Sequence, residues 1–215
     1  MTAIHSSPPR PNLVLASTNQ GKLDELITLI ADLPFHVVCQ TDLGVSAVEE
    51  TGLTFIENAL MKARHVCALT GIAALADDSG LIVDALHGAP GLYSARYAGP
   101  KRDDDANNEQ LLKNLAEIPP ARRTARLYSV VVFLRHALDP QPLIAEASWE
   151  GVIALQPRGR RGFGYNPIFI DPKQGCTVAE MDAGLRATLS HRARAFAQIR
   201  ERLRALAEQQ TSACT

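Results

Sequence analysis

Six consecutive residues, Ser17-Thr-Asn-Gln-Gly-Lys22, lie where a short apolar segment gives way to the apolar spacing of a helix. Free backbone amides at the start of a helix bind phosphate oxygens, so this turn could hold a phosphate group. The alternative is that Ser17, Thr18 or Asn19 only caps the helix. Lys22 favours phosphate binding, because a lysine at the positive end of a helix dipole costs about 0.3–1 kcal/mol and has no evident structural reason to be there.

Two adjacent carboxylates, Asp77 and Asp78, follow the apolar segment 73–76 and precede Ser79 and Gly80. We expect a turn here, because glycine permits a sharp bend and ligands of α/β proteins bind where strands end. Adjacent carboxylates repel each other by about 1 kcal/mol at 4 Å in water, and by more when partly buried. A divalent cation would offset this repulsion, whereas a solvated acidic turn would need no ligand.

Glu49 and Glu50 precede a predicted helix, and either could complete a Mg²⁺ site with the acidic turn. Carboxylate oxygens suit Mg²⁺, and substrate phosphates and water would supply its remaining ligands. Within that helix Asn58 and Lys62 are four residues apart. They could therefore reach one phosphate together, or form part of an ordinary solvated face.

Two further segments could recognise a nucleobase. Residues 162–167, Gly-Phe-Gly-Tyr-Asn-Pro, combine aromatic rings with glycines, which suits a base stacked on a ring close to the backbone. Such aromatic residues also occur at the edge of a core. Ser190, His191 and Arg192 begin the last predicted helix, where cations again oppose the helix dipole and could donate hydrogen bonds to a keto oxygen.

The hydrophobic pattern predicts the elements that must position these residues. Strands are expected at 13–16, 35–39, 73–76 and 81–85, with an antiparallel pair at 126–134 and 143–155. Helices are expected from residue 23, from 54 to 70 with Thr54 and Glu57 as a capping box, from 105 to 118, and near the C-terminus. We predict an α/β fold with an elongated mixed sheet flanked by helices, in two lobes with a central cleft. Residues 1–11 are expected to form a disordered lead, 12–209 a single domain and 210–215 a tail.

The composition limits the functional classes. With 46% hydrophobic residues, the 215-residue chain can bury a substantial core. The 22 Lys and Arg balance 23 Asp and Glu, so nonspecific binding to nucleic acid or to an anionic membrane is not expected. The four cysteines form no CxxC pair, which argues against a zinc or redox motif. No signal peptide or membrane span is recognisable, and a cytoplasmic location is expected.

Taken in chain order, these segments resemble the inosine and xanthosine triphosphate pyrophosphatases, and in particular their bacterial branch. The similarity extends from about residue 12 to 206, and its motifs are Ser-Thr-Asn-Gln-Gly-Lys, Glu-Glu-Thr-Gly-Leu-Thr-Phe-Ile-Glu-Asn-Ala, Ala-Asp-Asp-Ser-Gly-Leu, Gly-Ala-Pro-Gly-Leu-Tyr-Ser-Ala-Arg-Tyr, Gly-Phe-Gly-Tyr-Asn-Pro and Ser-His-Arg. The resemblance implies a homodimer that converts non-standard purine nucleotides (ITP, dITP, XTP and dXTP) to the monophosphate. It further implies that Mg²⁺ helps water attack the α-phosphorus and release pyrophosphate.

The resemblance also implies roles for individual residues. Asp78 would be the general base and a metal ligand, with Glu49 favoured over Glu50 as the second ligand and Asp77 beside them. The triphosphate and sugar would be held by Ser17, Thr18, Asn19, Gln20, Gly21, Lys22, Lys62 and Ser79. Phe163 would stack on the base, whose edge would be surrounded by Gly164, Tyr165, Asn166, Arg186, His191 and Arg192.

Two positions depart from the family pattern, and they bear on base preference rather than on the reaction. Asn166 stands where Asp is usual after Phe-Gly-Tyr, and Arg186 stands where Lys is usual before Ser-His-Arg. A pocket lined by donors would favour the 6-keto group of hypoxanthine and xanthine over adenine. Guanine shares that keto group, so its exclusion must act at the 2-amino group, by means that the sequence does not reveal.

Two other functions are compatible with the sequence. Similar phosphate machinery could serve a different pocket, for modified pyrimidines or methylated nucleotides, although Ser190, His191 and Arg192 favour purines. The chain could also be a nucleotide sensor that binds without turnover. Asp78 and Glu49 argue against a sensor, because binding alone needs no base beside a metal.

Overall fold

The computed structural model describes the backbone of residues 10–213 and the side chains of residues 10–209. Residues 1–9 of the expected lead, and residues 214 and 215 of the expected tail, lie outside this range. Within it, no helix is both long and apolar enough to cross a membrane.

The described part of the chain contains one seven-stranded mixed sheet. Its strands, in chain order, are β1 (Asn12–Ala16), β2 (His36–Cys39), β3 (Ala73–Val83), β4 (Thr124–Leu134), β5 (Leu143–Ile153), β6 (Phe169–Asp171) and β7 (Cys176–Thr177). The spatial order is β2-β1-β3-β4-β5-β6-β7. Strand β1 is parallel to β2 and β3, and the remaining pairs are antiparallel. The predicted mixed sheet and the β4–β5 pair are confirmed.

Within residues 10–213, five α-helices flank this sheet: α1 (Gln20–Ile30), α2 (Phe55–Thr70), α3 (Asp104–Asn114), α4 (Ala183–Leu189) and α5 (His191–Ala213). The apolar face that predicted α5 points into the core, as expected. Its residues Phe196, Ile199 and Leu203 are buried against α1 and one face of the sheet. Helix α2 covers the opposite face. It begins with the predicted capping box of Thr54 and Glu57 and ends at Gly71.

A third core lies at the far ends of the long strands, around Leu81, Leu127, Trp149 and Phe169. It belongs to a second lobe, because these ends pair with one another beyond the region that α1, α2 and α5 cover. Strands β3, β4 and β5 therefore pass through both lobes. The predicted two-lobed α/β architecture with a central cleft is confirmed.

The predicted turn at residues 77–80 is wrong, because Asp77, Asp78, Ser79 and Gly80 continue β3. Each of these residues pairs with β4, whose hydrogen bonds hold the polar segment extended. Gly80 is needed for close packing against residues 91–94 and not for a bend. A Cβ atom at this position would lie 2.5 Å from the carbonyl oxygen of Gly91 and 2.6 Å from Oγ of Ser94.

We expect Gly80→Ala to lower the free energy of unfolding by about 1–3 kcal/mol, because the added methyl group would overlap backbone that cannot move easily. Urea denaturation measures this loss. Gly184→Ala is the matched control, since a Cβ atom there meets only an Asp182 carboxylate oxygen, at 3.4 Å. Equal unfolding midpoints for both variants would contradict the role assigned to Gly80.

Candidate active site

Two adjoining cavities lie in the cleft. The carboxylate cavity, about 320 Å³, is lined by the 17–22 turn, Glu49, Glu50, Lys62 and Asp78. The aromatic cavity, about 580 Å³, is lined by Trp149, residues 162–166 and the start of α5. The two share Asn19, Lys22, Ser79 and Ala95. An elongated ligand can therefore occupy both at once.

Asp77 is fully buried at the back of this site and is surrounded by donors. Nζ of Lys22 lies 3.0 Å from one carboxylate oxygen, and Nε of Arg192 lies 3.3 Å from the other. Ser129 and Ser79 donate further hydrogen bonds, at 2.5 and 3.1 Å. Burial alone would raise the pKa of Asp77, but Arg192, Lys22 and Ser129 hold it well below its usual value. Asp77 is therefore an ionised structural anchor.

These contacts correct the expectation that Lys22 lacks a structural partner. Lys22 and Arg192 do oppose their helix dipoles, but both are balanced by Asp77 within the protein. Arg192 also contacts Glu25, which accepts a hydrogen bond from Ser190 as well. Sequence reasoning missed Glu25. Its position three residues after Lys22 on α1 places the two on one helix face, which was the available signal.

Asp78 faces the carboxylate cavity, because consecutive residues of a strand point to opposite sides. Nζ of Lys62 lies 2.7 Å from its Oδ1 and 3.1 Å from Oε1 of Glu50. The argument that Asp77 and Asp78 need a cation to offset their mutual repulsion is therefore wrong, since each has its own ammonium partner. Burial raises the pKa of Asp78, and Lys62 and Lys22 oppose this only in part.

The two adjacent aspartates thus have pKa values shifted in opposite directions. Such a divergence separates roles, because the group with the raised pKa accepts a proton more readily. Asp78 faces a cavity and fits a general base, whereas the paired and enclosed Asp77 does not.

Lys62 reaches the carboxylate cavity without Asn58, its predicted companion. The buried Oδ1 of Asn58 accepts a hydrogen bond from the backbone amide of Gly52 at 2.8 Å. Asn58 therefore fixes the loop before α2 and lines neither cavity.

The acidic groups fit the oxygen-donor chemistry of Mg²⁺. No cluster of three His, Cys, Asp or Glu side chains suited to a metal occurs in residues 10–209. Mg²⁺ needs only one or two protein carboxylates when phosphate oxygens complete its coordination. Glu50 and Asp78 already flank one cationic group, Lys62, whereas the exposed Glu49 lines the cavity without sharing that contact.

The 17–22 turn is both a helix cap and part of the cavity wall. Oδ1 of Asn19 accepts a hydrogen bond from the backbone amide of Lys22 at 3.0 Å, so capping is confirmed. Ser17, Thr18, Asn19 and Lys22 nevertheless line the carboxylate cavity. Gln20 does not, because its exposed side chain bonds to Asp24. Gly21 faces the aromatic cavity, where a Cβ atom would lie 2.8 Å from the Phe163 ring.

The aromatic cavity presents a partly exposed ring and unsatisfied polar atoms. Phe163 is 38% exposed, whereas Tyr165 is buried and its hydroxyl donates to the carbonyl of Ser94. Buried Nη1 of Arg186 and Nδ1 of His191 have no hydrogen-bond partner among the described residues. Burial, aided by Arg192, lowers the pKa of His191 well below its usual value, so the imidazole is neutral at pH 7. Unsatisfied buried polar atoms are costly, so these two are suited to a ligand.

Two backbone contacts support the segment that carries Phe163. The amide of Gly164 donates to Asp104 at 2.6 Å, and its carbonyl accepts from Asn108 at 3.0 Å. Asn166 lines the same cavity and packs against Gly162, where a Cβ atom would lie 2.0 Å from the Asn166 amide nitrogen.

The chain is similar to known proteins over most of its length. The model of the Ham1 family matches residues 13–202. A dITP/XTP pyrophosphatase of Xanthomonas campestris pv. campestris (strain 8004) is 64% identical over 195 residues, covering 91% of this chain and 98% of that protein. A dITP/XTP pyrophosphatase of Shigella flexneri is 52% identical over 192 residues, which cover 89% of this chain and 98% of that protein. The solved structure of a HAM1 protein from Coxiella burnetii superposes with a TM-score of 0.82, and its sequence is 44% identical. The match covers 88% of this chain and 96% of that one.

We expect Lys22→Ala to destabilise the fold by about 1–3 kcal/mol, because it removes one of two cations that neutralise the buried Asp77. A double-mutant cycle with Asp77→Asn, followed by urea unfolding, measures this coupling. Arg202→Ala is the control, since this exposed arginine is remote from Asp77 on α5. Strictly additive effects of the Lys22 and Asp77 substitutions would contradict the pairing.

Proposed function

Because the chain belongs to the Ham1 family, we propose that it hydrolyses the non-standard purine nucleotides dITP, ITP, XTP and dXTP to the monophosphate and pyrophosphate. Membership of this family confirms the resemblance seen in the motifs. The structural observation that carries the proposal is that Asp78 lines the carboxylate cavity beside Lys62, and that this cavity joins the aromatic cavity at Lys22 and Ser79.

In the proposed reaction, a water oxygen attacks the α-phosphorus and the bond between that phosphorus and the bridging oxygen to the β-phosphorus breaks. Asp78 takes the proton of the attacking water, and pyrophosphate leaves. Its raised pKa supports this role, because a general base works best when its pKa is nearer the working pH. Lys22, Lys62 and the free amides at the start of α1 stabilise the negative charge of the phosphates.

We propose Mg²⁺ as the cofactor, held by Asp78 together with Glu49 or Glu50. When bound, it would neutralise charge on the phosphates and make the water a stronger nucleophile. The contacts of Lys62 support Glu50, because this side chain already lies beside a group shared with Asp78.

The aromatic cavity is proposed to hold the base. Phe163 offers a ring face for stacking, and Arg186 offers an unpaired donor to the 6-keto oxygen of hypoxanthine or xanthine. Adenine carries an amino group at that position and would leave the donor unsatisfied, which supports discrimination against ATP. Arg192 helps shape the pocket through its contacts with Asp77 and Glu25.

A homodimer, a cytoplasmic location and a single pyrophosphatase domain over residues 12–209 complete the proposal. The continuous seven-stranded sheet supports a single domain. The dimer and the location rest on the family resemblance alone.

The experiment that tests the function is a pyrophosphate-release screen over standard, deaminated, methylated and pyrimidine nucleoside triphosphates, with and without Mg²⁺. We expect turnover of ITP, dITP and XTP to exceed that of ATP and GTP, and to require the metal. Preferential turnover of methylated or pyrimidine nucleotides would replace the purine assignment. Binding of nucleotides without any turnover would favour the sensor.

We expect Asp78→Asn to lower kcat for ITP by about 10²–10⁴-fold at saturating Mg²⁺ while nucleotide affinity is retained, because it removes the general base. Asp84→Asn, just beyond β3, is the control, because Asp84 bonds to Thr124 and Arg126 outside both cavities. Near-normal turnover by the Asp78 variant would refute the assignment.

We expect Asn166→Asp to lower kcat/KM for XTP relative to ITP by up to roughly tenfold, the equivalent of one hydrogen bond. An amide can donate to the extra 2-keto group of xanthine, whereas a carboxylate only accepts and would repel it. Both substrates are measured with both proteins. An unchanged ratio would mean that Asn166 only shapes the turn before Pro167, a role that Asp also fills.

A further inference from the structure

One wall of the carboxylate cavity is formed by a segment with no role in the scheme above. It comprises the 3₁₀ helix Gly91–Arg96 and the loop that follows to residue 103. We call it the arginine wall, because it places Arg96 and Arg102 on the cavity lining.

Arg96 is held in place by two contacts. Its Nη1 lies 3.6 Å from Oε2 of Glu50, and its guanidinium carbon lies 5.1 Å from the centre of the Tyr93 ring. The other oxygen of Glu50 contacts Lys62, which in turn contacts Asp78. A chain of three ion pairs, through Glu50 and Lys62, therefore links Arg96 to the proposed general base, Asp78, and sets the position of Arg96 before a ligand arrives.

Arg102 has an unusual backbone and an unused charge. Its φ of 53° lies in the left-handed region, which few residues other than glycine adopt without cost. Its exposed guanidinium makes no hydrogen bond or ion pair to the described residues. An unfavourable conformation that presents an unpaired cation to a cavity is typical of a functional position.

The connection between the cavities sets the direction of a bound nucleotide. A base in the aromatic cavity must reach the carboxylate cavity past Asn19, Lys22 and Ser79, which line both. With the α-phosphorus beside Asp78, the remaining phosphates can lie only further within the carboxylate cavity. Lys22 and Lys62 are partly neutralised by Asp77 and Asp78, and on this part of the lining Arg96 and Arg102 supply further positive charge.

We propose that Arg96 and Arg102 bind the β- and γ-phosphates, which leave together as pyrophosphate, and thereby select nucleoside triphosphates over diphosphates. The proposal rests on the pyrophosphatase function proposed above. Arginine suits this task, because its planar group donates two parallel hydrogen bonds to phosphate oxygens and stays charged at every working pH.

The first test compares kcat/KM for ITP and IDP, at constant free Mg²⁺, in the unsubstituted enzyme and in Arg96→Ala and Arg102→Ala. Each substitution should lower the ITP-to-IDP ratio by about three- to tenfold, because both side chains are partly exposed to solvent. Arg202→Ala is the matched control, since Arg202 is an exposed arginine that lines neither cavity of the site. Its ratio should not change.

Arg102→Gly separates a phosphate-binding role from a structural one. Glycine adopts a positive φ freely, so Tm should not fall, while the ITP-to-IDP ratio should fall as it does for Arg102→Ala. Pyrophosphate binding, measured by calorimetry on each protein, should weaken in the same variants. Arg96→Lys should recover part of this binding, because it restores the charge without the planar group.

An unchanged ITP-to-IDP ratio and unchanged pyrophosphate affinity in these variants would overturn the proposal. An equal loss for ITP and IDP would also overturn it, because IDP lacks only the γ-phosphate, and an equal loss would show that neither arginine distinguishes a substrate that has this group. If the unsubstituted enzyme turned over no nucleotide, the proposed function would fail. Pyrophosphate calorimetry would still decide whether the arginine wall binds the anion.

Discussion

A buried carboxylate must be neutralised, and the requirement of Asp77 for cationic partners organises the whole site. Removing an unpaired charge from water costs several kcal/mol or more, so the elements that carry its partners cannot move away independently. Lys22 comes from the start of α1, Ser129 from β4 and Arg192 from the start of α5. The same contacts bring two helix N-termini, each unfavourable for a cation by itself, to the boundary between the cavities.

The alternation of side chains along a strand then separates two carboxylates that are neighbours in sequence. Asp77 faces an enclosed set of cations, whereas Asp78 faces the cavity and Lys62. If the chain turned at this point, the side chains of Asp77 and Asp78 would be exposed to solvent to a similar extent. Extended backbone gives them different surroundings, and hence different proton affinities, without any change of residue type.

Patterns among neighbouring residues were sufficient to predict the helices and strands that short stretches of sequence determine. The capping box of α2 and the apolar face of α5 predicted those helices, and the two long β-rich runs predicted the β4–β5 pair. The polar residues 77–80 were wrongly predicted as a turn, because their extended conformation depends on hydrogen bonds to β4, about fifty residues later in the chain. Strands β6 and β7 were not predicted, because strands of three and two residues are too short to show the alternating hydrophobic pattern.

The site was predictable as a set of residues but not as a set of contacts. Motif order placed Ser17, Lys22, Lys62 and Asp78 together, and all four line one cavity. Sequence spacing does not reveal which cation pairs with which carboxylate, since Glu25 and Arg192 meet across 167 positions of the chain. The dipole argument for Lys22 and Arg192 identified real electrostatic strain, but the protein relieves it internally.

The partners of Asp77 also have a consequence for biosynthesis. Synthesis runs from the N-terminus, so the ribosome makes Lys22 and Asp77 well before Arg192 and the rest of α5. Until then, Asp77 has only part of its counter-charge, and the core that α1 shares with α5 stays open to water. The nascent chain therefore cannot complete the aromatic cavity until α5 has been made.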